Sequence, residues 1–532
     1  MDTLPLLSIV TFLPLLGAVV LALLPTDDTV RIKQFALGVA SLGFVASLPL
    51  VLLWDDANAG MQFVEKVTWV KSLGISWHMG IDGISLWLVM LTTFLGPIVI
   101  LGSWTAVEGR HREFFFQILA LQTFMLGAFV AQNLAVFYLF WELMLIPMFF
   151  LIGIWGGSER FYATVKFVLY TVFGSMLMLV AIFYLYVEAH DQLGRWTLEF
   201  ADLYKLKMGT VTQSWLFGAF ALAFAIKVPM WPLHTWLPDA HVQAPTAGSV
   251  VLAGVLLKMG TYGFLRLGMP ILPNASDLFT PVIMGLSVIG IVYGALVAMV
   301  QTDIKKLVAY SSVSHMGYIM LGIFALNQQG VEGGILQMLN HGISTGALFL
   351  LVGVIYERTH TRNIWDYGGL AKILPVYTVI FIIVALSSAG LPGTNGFVGE
   401  FLTLFGAFKW GYLQAAAGKG LVYSYGFVAV AALGVILGAV YLLWMIERVF
   451  FGKPLQQRTK ALQDLSRREL AVFVPLLVMI FWIGLYPKPF FDKMEPSVTA
   501  WIHQMEVGKR RNASILELET EKKMVERGEV VR

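Results

Sequence analysis

The chain has no cysteine, which excludes disulfides and cysteine-ligated iron–sulfur clusters within it. Charge is scarce as well: 13% of the 532 residues are charged, against about 25% in soluble domains. A net charge of +3 is too small to point to nucleic acid. No G-x-G-x-x-G follows a strand, and there is no P-loop and no zinc-ligand spacing. The chain is therefore expected to hold no cofactor and no metal, and any coupled redox chemistry must sit on a partner. Basic residues are missing ahead of the first apolar run, MDTLPLL, which reads as a retained helix rather than a cleaved signal.

What fills the space is apolar: 58% of residues are hydrophobic, above the roughly 45–50% of soluble domains. Runs of about 20 such residues cross a ~30 Å hydrocarbon core. Scanning for them predicts an all-α polytopic membrane protein of about 14 spans. They fall near 4–24, 32–53, 82–104, 113–131, 134–155, 162–187, 215–237, 248–268, 280–301, 306–326, 332–356, 375–411, 424–450 and 470–487. The seventh contains Pro229 and Pro232, and the twelfth carries Pro392 among Gly390, Gly393, Gly396 and Gly399, so both are expected to break. Short-loop positives cluster after odd-numbered spans: Arg31 and Lys33, Arg110 and Arg112, Arg160, Lys305 and Lys306, Arg358 and Arg362, then Arg448 through Arg468. The positive-inside rule places those loops in the cytoplasm and both termini outside. The stretch SILELETEKKMVERG in the tail reads as a short amphipathic surface helix.

An internal repeat is also visible. GAFVAQNLAVFYLFWELMLIPMFFLIGIW resembles YGALVAMVQTDIKKLVAYSSVSHMGYIMLGIF, and FGSMLMLVAIFYLY resembles STGALFLLVGVIYE. Each copy would hold spans four to eight or nine to thirteen, and an odd number of spans inverts the second copy, a recurring transporter plan. The expected organisation is 1–110 for helices 1–3, 111–270 for the first repeat, 271–455 for the second, and 456–532 for helix 14 and the tail.

Charges inside the spans stand out against this background. Glu142 lies in LAVFYLFWELMLIPMFFLIG, Lys227 ahead of VPMWPL, Lys258 in VVLAGVLLKMGTYGFL, and Glu400 after SSAGLPGTNGFVGEFL. A charge at mid-span costs about 2.5–3.5 kcal/mol on insertion scales, so four of them point to a path for protons or ions. Pro229 and Pro232 free the carbonyls of Ala225 and Val228, which places Lys227 at the negative end of a half-helix. Glu142 is its natural carboxylate, and opening that pair would change the lysine's hold on its proton. Glu400 mirrors this arrangement, near the positive end of a second half-helix. Lys258 sits in a span with no break, beside Gly254, Gly260 and Gly263. His315 and His341 lie mid-span, where imidazoles relay protons. His234 and His241 flank the end of the seventh span and could reach an access path. Asp303, Lys305 and Lys306 read as a solvated turn, and Lys166 as a snorkelling lysine. Each buried group has a structural alternative: a static ion pair, a helix cap, or a lysine or histidine bonded to a carbonyl.

FWELMLIPMFFLIGIWG, KVPMWPLHTWLPDAHVQAPTAGSVVLAGVLLKMGTYGFLR and GLPGTNGFVGEF closely resemble the antiporter-like subunits of proton-pumping NADH:quinone oxidoreductase, respiratory complex I. The resemblance covers roughly residues 80–450. It implies a 14-helix fold with two inverted five-helix repeats and one proton channel along a mid-membrane axis. Position by position, it implies that Glu142 and Lys227 form the family's glutamate–lysine pair and that Lys258 is the central lysine. It further implies that His315 and His341 are polar-axis positions, and that Glu400 is the twelfth-helix acid where siblings usually carry lysine. No long lateral helix of the kind one sibling carries is evident. The implied partners are sibling membrane-arm subunits and the bilayer, with FMN, Fe–S clusters and quinone belonging to other parts of the complex. The implied place is a bacterial inner membrane. A subunit of a multi-subunit Na⁺/H⁺ antiporter is the alternative. Haem ligation by His315 and His341 or a passive spacer role are further readings, the first open to test by visible absorption.

Overall fold

The computed structural model describes residues 5–452 and 462–526, with side chains described up to residue 512. Lys453, Arg458 and Lys460 of the basic loop, the first four residues of the MDTLPLL run, and the tail past residue 526 lie outside the described residues.

The chain is a bundle of antiparallel helices. In order they are α1 (Leu6–Leu23), α2 (Thr29–Leu52), α3 (Gly83–Gly102), α4 (His111–Val130), α5 (Leu134–Trp155), α6 (Arg160–Leu193), α7 (Thr210–Lys227), α8 (Trp236–Gln243), α9 (Thr246–Ile271), α10 (Pro273–Met299), α11 (Ile304–Phe324), α12 (Gln328–Thr359), α13 (Pro375–Ser388), α14 (Asn395–Ala416), α15 (Leu421–Phe450), α16 (Arg467–Leu485) and α17 (Lys488–Glu526). Among the described residues, 12 helices are long and apolar enough to cross a membrane. Helix starts follow local chemistry: Asp82 opens α3 with a capping box, while Asn133, Asp303 and Asn327 accept the first free N–H groups of α5, α11 and α12.

Both expected breaks are present, as non-helical stretches between α7 and α8 and between α13 and α14. At the second, Gly390 (φ 77°) and Gly393 (φ 90°) take left-handed backbone that favours glycine. The helix around Lys258 is continuous, as expected, but not regular. α9 carries π-helical turns at Leu252–Leu256 and Phe264–Gly268, on either side of the lysine. It is also the most enclosed span, wholly buried, packed between α7 and α12.

Two features depart from a purely helical plan. A hairpin of β1 (Gln62–Val70) and β2 (Ile75–Ile81) pairs antiparallel between α2 and α3. Glu65 of β1 reaches α1, accepting from Leu7 N at 2.6 Å and so satisfying one of that helix's free donors. The tail helix is not short: α17 runs for 39 residues from Lys488. It packs on the N-terminal ends of α3, α10 and α12, with Ser497 Oγ accepting from Gly83 N at 2.9 Å.

Candidate functional site

The helix breaks set where the charged groups lie. Lys227 is the last residue of α7 and is 2% exposed. The Ala225 carbonyl freed by Pro229 does not serve it, nor does the neighbouring carbonyl of Ile226. Ala225 O accepts from Met230 N at 2.9 Å, and Ile226 O accepts from Trp236 Nε1 at 2.9 Å. The backbone re-satisfies itself one residue further along than the helical spacing anticipates. Among the described residues Lys227 Nζ has no hydrogen-bond partner and instead sits 4.9 Å from the centre of the Trp141 ring. Glu142 Oε1 is likewise unpartnered among the described residues, and although its charge acts on Lys227 the two do not bond directly. Tyr138 lies beside Glu142, and its hydroxyl donates to Ser175 O at 3.4 Å.

The second half of the axis is closed up. Lys258, fully buried, donates to Ala253 O and meets His341 Nδ1 at 2.6 Å. The His341 and His315 rings are 5.8 Å apart between centroids. His315 Nδ1 contacts Glu400 Oε1 at 2.8 Å, and its Nε2 contacts Ser388 Oγ at 3.2 Å. Gln337 Nε2 donates to the same Glu400 oxygen at 3.2 Å. α9, α11, α12 and α14 thus bring Lys258, His315, His341 and Glu400 into one buried polar series, bonded from Lys258 to His341 and from His315 to Glu400, with His341 Nε2 unpartnered among the described residues where the two rings face each other. Its members are at most 6% exposed. Polar side chains around Asn340, Ser344, Ser387 and Asn395 line a small gap beside it.

Between the two halves the packing is apolar. Phe224 stacks edge-on against Trp141 at 5.6 Å. A Cβ at Gly260 would meet Phe224 O at 2.7 Å, and one at Gly263 would meet the Phe224 ring at 2.5 Å. These glycines let α9 close on the end of α7.

Lys166, near the start of α6, pairs with the part-exposed Asp239 on α8 at 2.7 Å. Other expectations are corrected. Lys305 is not solvated but 6% exposed, donating to Ala244 O at 2.5 Å, while Asp303 caps α11 and pairs with Arg362 at 3.2 Å. His234 and His241 are buried; among the described residues, His234 Nδ1 and both ring nitrogens of His241 have no hydrogen-bond partner. One buried pair went unforeseen: Arg266 Nη2 lies 2.6 Å from Asp82 Oδ1, with Arg266 Nε donating to Tyr262 OH at 3.2 Å. An arginine two turns beyond Lys258 in an apolar span was its sequence signal.

Residues 131–443 match the family described as NADH:quinone oxidoreductase/Mrp antiporter, TM, and residues 58–128 match NADH-ubiquinone oxidoreductase chain 4, amino terminus. The chain is 50% identical over 508 residues to NADH-quinone oxidoreductase subunit M of Rhodobacter capsulatus, covering 93% of this chain and 95% of the relative. It is 42% identical over 494 residues to NADH-ubiquinone oxidoreductase chain 4 of Marchantia polymorpha, covering 93% and 96%. A chain of respiratory complex I from Thermus thermophilus with bound NADH superimposes with a TM-score of 0.83 at 32% identity, covering 94% of this chain and 99% of that one. A chain of the Mrp complex from Dietzia sp. DQ12-45-1b shares the fold at TM-score 0.78 and 22% identity, covering 94% of this chain and 52% of that one.

Proposed function

This chain belongs to the subunit M (chain 4) family of NADH-quinone oxidoreductases, and from that premise we propose that it carries protons along Glu142, Lys227, Lys258, His341, His315 and Glu400. It is an antiporter-like membrane-arm subunit of complex I, so quinone reduction elsewhere in the complex supplies the energy. FMN and Fe–S clusters belong to partner subunits. The observation that carries the reading is the buried series Lys258–His341 and His315–Glu400, with the two imidazole centroids 5.8 Å apart. Imidazoles placed between an amine and a carboxylate pass a proton by changing tautomer. Lys227 and Glu142, apart from one another, supply a second site whose pairing changes how tightly each holds its proton. Two inverted five-helix repeats, 111–270 and 271–455, place the breaks at Lys227 and ahead of Glu400 in equivalent positions. The basic loops face the cytoplasm and both chain ends face outward, in a bacterial inner membrane.

Driving a proton against 100 mV costs about 2.3 kcal/mol, which the coupling must deliver per charge moved. The deciding experiment is NADH-driven proton uptake in inverted membrane vesicles, wild type against Lys227→Ala, at matched NADH oxidation. Uptake is expected to fall in the variant. Equal uptake in both would remove Lys227 from the path. Sodium-dependent exchange without NADH would instead favour an antiporter role, for which the present support is likeness of fold alone.

A further inference from the structure

The last turn of α15 lies on the face that carries the short basic loops, and it holds a cation between two indoles. The guanidinium carbon of Arg448 is 4.8 Å from the ring of Trp444, on the same helix, and 4.6 Å from the ring of Trp365, on the loop between α12 and α13. The two indoles meet edge to face at 6.1 Å and 85°. Contact with two π faces fixes where the guanidinium lies but leaves its N–H groups without an acceptor oxygen. Its Nε is buried and has no hydrogen-bond partner among the described residues. The neighbouring arginines Arg358 and Arg362 are paired with Glu469 and Asp303, whereas Arg448 has no ion pair among the described residues. Asp366, beside Trp365, is taken up by its own loop, accepting from Thr361 Oγ1 at 2.5 Å and Asn363 Nδ2 at 3.4 Å.

The residue before Arg448 is an exposed carboxylate, Glu447, also without an ion pair among the described residues. Adjacent residues on a helix do not face each other, so these two opposite charges stay side by side and uncancelled. An apolar stripe leads up to them. Leu433, Ile436, Val440 and Leu443 are all exposed, and their spacing of three and four residues puts them on one face of α15. Tryptophan pairs of this kind mark the level where hydrocarbon gives way to headgroups.

We propose that this end of α15 is a binding site for a phospholipid of the phosphatidylethanolamine class, whose headgroup carries a phosphate and a primary ammonium. Arg448 donates N–H groups to the phosphate oxygens, Glu447 accepts from the ammonium, and an acyl chain lies along the Leu433–Leu443 stripe. Guanidinium suits phosphate because its fork of donors matches two oxygens at once. The Arg448–Glu447 pair is neutral in sum, as is the headgroup, and each charge finds its opposite. A purely anionic headgroup would satisfy Arg448 but leave Glu447 beside a like charge.

The test is photolabelling of the assembled complex in phosphatidylcholine vesicles. Traces of phosphatidylethanolamine, phosphatidylglycerol or phosphatidylcholine, each with a photoactivatable acyl chain, are added, and the label on α15 is mapped by mass spectrometry. The ethanolamine lipid should label α15 most strongly. Arg448→Gln should lower that labelling by about tenfold, the factor that goes with losing a charge-assisted hydrogen bond. Glu447→Gln should lower it as well and remove its lead over the glycerol lipid. If Arg448→Gln fails to assemble, Glu447→Gln decides, because its side chain is exposed. Equal labelling by all three lipids would make this face ordinary lipid contact and overturn the site. Stronger labelling by phosphatidylglycerol would overturn the ethanolamine assignment. No labelling by any lipid would mean that a neighbouring subunit covers the face, and loss of labelling on adding inorganic phosphate would mean a free-phosphate site; either would overturn the proposal.

Discussion

Trp141 competes with Glu142 for Lys227. The lysine's Nζ lies 4.9 Å from the indole centre, and both residues are 2% exposed, so the contact is desolvated. A cation over an indole in such a setting is worth about 2 kcal/mol, with phenylalanine weaker than tryptophan. With the ring removed, the lysine should settle on Glu142, and the paired population should rise by about thirtyfold for about 2 kcal/mol. If the pair must open once per proton, pumping-coupled NADH oxidation in Trp141→Leu should slow by up to about that factor. Trp141→Phe should fall between. The assay is proton uptake in inverted vesicles at several NADH concentrations, with assembly confirmed first, since a buried tryptophan also fills volume. Wild-type rates in both variants would refute the competition. Equal losses in Leu and Phe would assign the effect to the lost volume rather than to the π face.

Lys258→Arg should keep a cation against His341 but stop proton uptake in an assembled complex, because guanidinium holds its proton; pumping at the wild-type rate would end the relay through Lys258. Arg266→Met strands Asp82 in the interior and should cost about 3–5 kcal/mol, read as a lower Tm of the purified complex. Adding Asp82→Asn, which preserves the cap of α3, should recover most of that loss, and no recovery would mean that packing rather than charge was removed. Outside the spans, burial pushes the Glu199 carboxyl up, but hydrogen bonds from His78, Ser76 and Asn133 and the His78 charge together hold it down at about 2. A lowered folded-state value means the ionised carboxylate stabilises the fold. That contribution is complete above the ordinary value of about 4.3 and is lost as pH falls through it toward about 2. Hydrogen exchange of the β1–β2 hairpin should therefore accelerate in acid in the wild type and depend less on pH in Glu199→Gln; identical pH profiles would contradict this.

Much of this was legible in the chain because a membrane simplifies the code. Against a 58% hydrophobic background, Lys227, Lys258 and Glu400 are conspicuous, and prolines and glycines mark both breaks. Contacts between distant segments were not legible. Asp82 and Arg266 are 184 positions apart, and Lys166 and Asp239 are 73 apart, so neither pairing has a local signature. Lys305 was misread because a basic residue beside a turn looks solvated until the end of α8 is laid over it. The carbonyl of Ala225 was expected to be free because the helical rule counts four residues, whereas Met230 N closes a wider turn. The hairpin escaped because its strands sit between spans, where hydropathy scanning carries no signal.

The two halves of the axis differ in a way that bears on how coupling works. From Lys258 to His341 and from His315 to Glu400 each group meets the next, and only the gap between the two imidazoles, whose centroids are 5.8 Å apart, must be bridged for a proton to pass along the series. From Lys227 to Lys258 the intervening groups are Phe224, Trp141 and the glycines of α9, none of which can hold a proton. A proton crosses that stretch only if water enters, and close aromatic packing leaves little room for it. The π-helical turns flanking Lys258 and the short α8 after the Lys227 break are where this close packing can change most cheaply, because their backbone bonding is already irregular. Coupling then need not alter the charged groups at all. It need only wet or dry the Phe224 contact. A bulkier residue at Gly260, which would press on Phe224 O and Val228 N, should force α9 and α7 apart and let protons leak without NADH. Tight, uncoupled-free membranes in Gly260→Ala would show that the barrier lies elsewhere.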